Sequence, residues 1–226
     1  MEGYEHIQLP LFKDVINKSS KYSSFVKVHV APDGSCFFHA VLSAISETYN
    51  TEEKTIRNEY GDYQVVRIDK TSFVVNERAR MSKLLASPIS NVPGAKTYYE
   101  ILSSGYYKNE GSKAYPELYS LEAMQRVLMD PIEFIGLEFL EFISLIYDID
   151  IYILYDENKD IYVTGNSYDS FYKGRNSIVL IYSQAKEHFD VIGLWHDNGI
   201  SDYFTPDNSF IKALRKRYKK LHSSQK

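Results

Sequence analysis

One cysteine, Cys36, occurs in the chain beside six histidines. A single cysteine can form neither an internal disulfide nor a Cys-rich zinc cluster, so it serves either packing or reactivity. Its setting bears on that choice. Val26, Val28 and Val30 alternate with Lys27 and His29 at the period of a half-buried strand, and Pro32-Asp33-Gly34-Ser35 supplies turn chemistry. Phe37, Val41, Leu42 and Ile45 then recur at helical spacing, which puts Cys36 in the first turn of a new helix. A thiolate is stabilised there by backbone amides and aligned peptide dipoles. A tight turn entering a helix is also a place that presents a thiol. The amides of Ser35 and Cys36 could receive a developing oxyanion if a scissile carbonyl lies above the helix start.

A thiol nucleophile needs a base, and the candidates are His6, His29, His39, His188, His196 and His222. His188 opens the run His188-Phe189-Asp190-Val191-Ile192, where a period of two puts His188 and Asp190 on one face. That spacing suits an acid that orients an imidazole and supports the imidazolium formed after proton transfer. The same alternation also describes an ordinary polar strand face. His39 lies one helical turn after Cys36, but a base should approach from across the cleft, so it is given a minor role. His196, beside Trp195, reads as a surface or satisfied residue. No His-Glu-x-x-His run exists. Asp156-Glu157-Asn158-Lys159-Asp160 has acids where a calcium loop needs them, yet Ile161 takes the glycine position and Ser167 the bidentate position. It reads as a hairpin turn, and neither a metal nor an organic cofactor is expected.

The elements that must position these groups follow from periodicity. A short leading helix is predicted over residues 10–18, with Pro10 at a tolerant first turn. Residues 51–130 read as helical but broken, with helices at 75–86 and 96–102 and loops around Pro88, Pro93, Gly105 and Gly111. Asp130-Pro131-Ile132-Glu133 resembles an N-cap, a first-turn proline and a returning carboxylate. It opens a predicted core helix through Ile132, Ile135, Phe139, Leu140, Ile143 and Ile146, with Gly136 as a point of interruption. Four strands are predicted at 151–155, 161–164, 177–182 and 188–194, then a helix at about 207–221 ending in Arg215, Lys216, Arg217, Lys219 and Lys220. Helices around a late sheet, with one early strand, make an α+β or mixed α/β domain.

Bulk properties narrow the function classes. The 226 residues are 44% apolar and 25% charged, ordinary globular usage, and no interdomain linker stands out, so one domain over residues 1–226 is expected. A net charge of −4 argues against a general nucleic-acid binder and favours a cationic partner, and the basic run at 214–220 reads as a solvated helix end. The longest apolar stretch is broken by Glu133, Glu138, Glu141, Asp148 and Asp150, so no membrane span is expected. The first residues show no secretory signal, and cytoplasmic location is the expectation. Twenty tyrosines are scattered without a repeat.

The run Asp33-Gly34-Ser35-Cys36-Phe37-Phe38-His39-Ala40 resembles the nucleophile motif of the ovarian-tumour (OTU) cysteine proteases, an Asp-Gly-x-Cys-x-Phe core entering a helix. His188-Phe189-Asp190-Val191 resembles that family's histidine motif. Gly136-Leu137-Glu138 and the helix running into Ile151-Tyr152-Ile153-Leu154 resemble its glutamate-bearing helix and following strand. The three occur in family order over about residues 25–194. The resemblance implies a papain-like OTU fold, a small central sheet flanked by helices, with a helical insertion and a C-terminal helical extension at about 207–222. It implies a deubiquitinase in which Cys36 is the nucleophile, His188 the general base and acid, and Asp190 the residue that orients His188. Asp33 would shape the oxyanion loop, whose backbone donors are Ser35 and Cys36. The implied partners are conjugates of ubiquitin or a ubiquitin-like protein, whose globular body the region 49–130 would dock. Ser35 stands where asparagine is frequent, His39 where arginine or tyrosine is usual, and Phe134-Ile135-Gly136 where a Trp-Gly pair is common; Glu138 is read as structural. Two other readings are a ubiquitin-binding module without catalysis, and a thiol hydrolase or acyltransferase acting on another peptide or small amide.

Overall fold

Asp150–Tyr155 and Ser177–Ser183 are nearly unbroken runs of Ile, Val, Leu and Tyr, a composition that belongs inside a sheet. In the computed structural model, which describes residues 3–16, 24–58, 60–104, 116–136, 139–164, 174–197 and 199–222, they do lie there. The strands in chain order are β1 (Tyr4–Ile7), β2 (Ser24–Val28), β3 (Glu53–Arg57), β4 (Tyr63–Arg67), β5 (Asp150–Tyr155), β6 (Ile161–Val163), β7 (Ser177–Ser183), β8 (His188–His196), β9 (Gly199–Ser201) and β10 (Tyr203–Phe204). The helices are α1 (Lys13–Ile16), α2 (Cys36–Ile45), α3 (Glu47–Thr51), α4 (Lys70–Leu85), α5 (Tyr98–Ser104), α6 (Leu121–Met129), α7 (Leu140–Tyr147) and α8 (Ser209–His222). They group into two compact units, residues 1–32 with 143–226, and residues 33–142.

The first unit is built on a mixed sheet of order β1-β2-β8-β7-β5-β6, with β9 added to β8 and β10 to β7. Among the described strands only β5 and β7 pair in parallel. Its sheet side chains Phe25, Tyr152, Leu154, Val179 and Ile192 pack with Phe12 and Val15 from the leading segment and with Phe210, Ile211 and Leu214 of α8. Each such side chain contributes about 1.5–3 kcal/mol by leaving water. The C-terminal helix is therefore a core element and not an appendage.

Among its described residues the second unit holds helices α2 to α6 and the β3–β4 hairpin. Val74, Met81 and Leu85 of α4 and Met124 and Leu128 of α6 are buried together with Phe37, Phe38 and Val41 of α2.

The four late strands and the final helix fall within a few residues of their predicted bounds, and residues 156–160 form the turn joining antiparallel β5 and β6. Four expectations need correction. The region read as helical contains the β3–β4 hairpin, whose turn is set by Asn58: its Oδ1 accepts the N–H groups of Tyr60 (3.0 Å) and Asp62 (2.9 Å), with Gly61 at φ +90°. Strand β1, paired antiparallel with β2, makes a second early strand where one was expected. Asp130 ends α6 instead of starting a helix. Its Oδ1 takes the N–H of Ile132 at 3.0 Å, the chain stays irregular through Gly136, and helix α7 begins at Leu140. The leading helix is split into a 3-10 turn at Pro10–Phe12 and the single turn α1. Lys18, Gly105, Gly111, Leu137, Glu138 and Ser167 lie outside the described residues. Among the described residues no helix is long and apolar enough to cross a membrane.

Candidate active site

Helix α2 starts at Cys36, as the spacing of Phe37, Val41 and Leu42 requires, and the turn before it is organised by Asp33. Asp33 Oδ1 accepts the Ser35 N–H at 2.8 Å, and the Asp33 carbonyl accepts the Cys36 N–H at 3.1 Å. The other carboxylate oxygen lies 3.3 Å from His39 Nε2, while His39 Nδ1 shares a 2.7 Å hydrogen bond with the Tyr49 hydroxyl. His39 is thus a buried brace of the turn, consistent with the minor role expected for it. The amides predicted as oxyanion donors, those of Ser35 and Cys36, are here engaged by Asp33. Presenting them to a substrate requires those bonds to lengthen or bifurcate.

The expectation that the turn presents the thiol is not met, since Cys36 is 1% exposed. The backbone after α6 passes over the turn so closely that a Cβ at Gly34 would stand 2.1 Å from the Ile132 carbonyl oxygen. Only glycine fits there. The Ile132 side chain itself points to solvent, 85% exposed.

A residue absent from the sequence reading ties these two segments together. Arg78 of α4 is 1% exposed, and its guanidinium meets seven acceptors. Nη1 donates to Ser35 Oγ (2.7 Å) and to the carbonyls of Gly34 (3.2 Å) and Pro131 (3.5 Å). Nη2 donates to Val127 (2.7 Å), Glu133 (2.9 Å) and Asp130, and Nε to Leu128 at 3.2 Å. Several of these are the last-turn carbonyls of α6, which would otherwise lack partners. The Ser35 hydroxyl, accepting from Arg78 and donating to Pro131 (3.2 Å), makes no cap bond to α2. Among the described residues no carboxylate lies within ion-pair distance of Arg78. Burial draws its pKa down to about 10, against the raising effect of Asp130, Asp33, Glu133 and Cys36, so it is charged at neutral pH. The signal was legible: Val74, Arg78, Met81 and Leu85 form one helical stripe, and a cation in an apolar stripe must be held by something.

The other half of the predicted triad lies in the first unit. His188 opens β8 immediately after Glu187, whose left-handed φ of +49° turns the chain sharply into the strand. His188 Nε2 and Asp190 Oδ1 are 3.1 Å apart, and the same oxygen accepts the Val30 N–H at 3.2 Å. His29 Nδ1 (3.7 Å) and Lys27 Nζ (4.0 Å) also face Asp190. Burial pushes the Asp190 carboxyl up, but the hydrogen bond and charge of His188, the Val30 amide and His29 outweigh it and hold the group below its ordinary value. The structure therefore brings His188 to Asp190, and Asp33 and Ser35 to Cys36, in separate units. His196 bonds the Ser201 hydroxyl at 2.9 Å, a satisfied residue as expected. Among the described residues no cluster of three or more His, Cys, Asp or Glu side chains could hold a metal ion.

No protein-family model matches the sequence, and no curated protein matches it. Solved structures do. An OTU domain in complex with ubiquitin aligns at 14% identity and a TM-score of 0.49, covering 88% of this chain and 84% of that one. The Hazara virus OTU bound to ubiquitin aligns at 12% identity and 0.42, covering 85% and 89%. The viral OTU domain protease from Qalyub virus aligns at 15% identity and 0.37, covering 85% and 99%. The architecture observed in this chain is itself mixed α/β.

Proposed function

We propose that the protein is a thiol hydrolase that cleaves the bond after the C-terminal glycine of ubiquitin or a ubiquitin-like modifier. The two units act together as one catalytic domain. The observation that carries the reading is the His188 to Asp190 hydrogen bond at 3.1 Å, in a chain whose one cysteine heads a helix behind an aspartate-shaped turn. His188 Nδ1 takes the thiol proton and the Cys36 sulfur attacks the glycyl carbonyl. The carbonyl electron pair moves to oxygen, where the Ser35 and Cys36 amides receive it. Collapse expels the amine, which takes the proton back from His188, and water then hydrolyses the thioester by the same relay. Asp190 orients the imidazole and supports its positive form. The modifier as substrate follows from the motifs at Asp33-Gly34-Ser35-Cys36 and His188-Phe189-Asp190. Hydrolysis of a fluorogenic amide on the ubiquitin C-terminus, abolished by Cys36→Ala, is the expected result.

A second reading, a modifier-binding module without catalysis, is favoured by the burial of Cys36 and by the engagement of both amides with Asp33. It predicts binding of ubiquitin with no turnover.

A further inference from the structure

We infer that Arg78 is the positioning residue of the oxyanion loop, fixing the Gly34–Ser35 peptide so that the Ser35 N–H, held on Asp33 in this structure, can be shared with the reacting carbonyl without the peptide turning. The inference rests on reading Cys36 as an acyl-transfer nucleophile.

A trans peptide holds its C=O and N–H on opposite sides of one plane, so gripping either end sets the direction of the other. Here both ends are held. Arg78 Nη1 donates to the Gly34 carbonyl at 3.2 Å, and the Ser35 N–H on the far side donates to Asp33 Oδ1 at 2.8 Å. The 2.7 Å bond from Nη1 to the Ser35 hydroxyl fixes the same residue at a second point. Rotating this peptide away would break both Arg78 bonds and leave a buried guanidinium short of acceptors, which the rigid fork cannot replace from solvent.

The grip is itself anchored. The remaining donors of Arg78 end on Val127, Leu128, Asp130 and Glu133, so the turn is referenced to the end of α6 and not to a mobile side chain. A cation so held, with carbonyl dipoles as partners and no carboxylate at ion-pair distance among the described residues, also favours negative charge arriving at the loop. Serine at position 35 fits this arrangement, because its hydroxyl accepts from Arg78 and donates to Pro131 at once.

The test separates oxyanion placement from thiol chemistry. Alkylation of Cys36 by iodoacetamide develops no tetrahedral oxyanion, whereas thiohemiacetal formation with a short peptide ending in a 13C-labelled glycinal does. Wild type, Arg78→Lys and Ser35→Ala are compared in both reactions, in hydrolysis of the ubiquitin amide, and in thermal unfolding. Ser35→Ala keeps the guanidinium in place and guards against an Arg78→Lys protein that does not fold. For folded variants the expectation is alkylation within about 3-fold of wild type. Thiohemiacetal affinity and kcat should fall about 10²-fold, with KM little changed. Unchanged aldehyde affinity in folded variants, parallel loss of alkylation and aldehyde affinity, or a wild type that is alkylated but binds no aldehyde would each overturn the inference. Aldehyde affinity that depends on Arg78, in a protein that hydrolyses no ubiquitin amide, would overturn the substrate reading and leave Arg78 in its role.

Discussion

Asp190 Oδ1 is shared between the imidazole of His188, 3.1 Å from Nε2, and the backbone N–H of Val30 at 3.2 Å, so strand β8 carries the histidine while the segment just after β2 holds its carboxylate in place. Asp190→Ala removes the group that orients the ring. The expected consequence is a fall in kcat of about 10²-fold on the ubiquitin amide with KM little changed, measured by steady-state kinetics.

The same carboxylate links stability to pH. Its folded pKa is lowered, because the His188 bond and charge, the Val30 amide and His29 together exceed the opposing effect of burial. A lowered carboxylate pKa contributes stability that is fully present above the unfolded value of about 4 and is lost as pH falls from there through the folded value. The melting temperature of wild type relative to Asp190→Asn should therefore decline below pH of about 4. A difference that grows in that range would assign the coupling to another group.

Gly34 has no room for a side chain, with the Ile132 carbonyl oxygen 2.1 Å from where a Cβ would stand. The neighbour is backbone and cannot rotate away, so Gly34→Ala must displace either the Asp33–Ser35 turn or the segment after α6. A loss of about 1–3 kcal/mol in urea unfolding is expected, together with hydrolysis reduced more than that stability loss alone would produce.

Arg175 and Asp150 form a buried pair, with Nε and Nη2 at 3.1 and 3.0 Å from Oδ1 and further bonds from Arg175 to Ser144. Burial raises the Asp150 pKa despite the charge and hydrogen bonds of Arg175. Arg175→Met strands the carboxylate and should cost about 3–5 kcal/mol, whereas Arg175→Met with Asp150→Leu should recover more than half of it. Thermal unfolding of the single and double variants checks this.

How much of this could be read from the sequence depended on whether a residue's partner is local. Turn, cysteine and helix follow one another within a dozen residues, so the start of α2 at Cys36 is legible locally, and the period of two in β8 sets His188 beside Asp190. The close approach of a backbone segment about a hundred residues away to Gly34 is not legible, because it is a long-range contact. Arg78 was missed for the same reason: its acceptors lie more than forty residues away along the chain, at Gly34 and Ser35 on one side and at Val127 to Glu133 on the other, and only its place on the apolar stripe of α4 hinted at them. The helix expected from Asp130 failed because an Asp-Pro pair caps a helix and closes an Asx turn equally well, and the carbonyls that Arg78 draws inward favour the turn. The β3–β4 hairpin was passed over although Asn58 and Gly61 mark its turn.

The central claim is that Cys36 and His188 act together on the ubiquitin C-terminus, and an electrophilic ubiquitin C-terminal probe tests it most directly. Wild type, Cys36→Ala and His188→Ala are incubated with the probe and the intact proteins weighed. A ubiquitin-sized adduct on wild type, absent in Cys36→Ala and formed at least about 10²-fold more slowly by His188→Ala, is the predicted result. A wild-type protein that forms no adduct while iodoacetamide still alkylates Cys36, or a His188→Ala variant as fast as wild type, would contradict it.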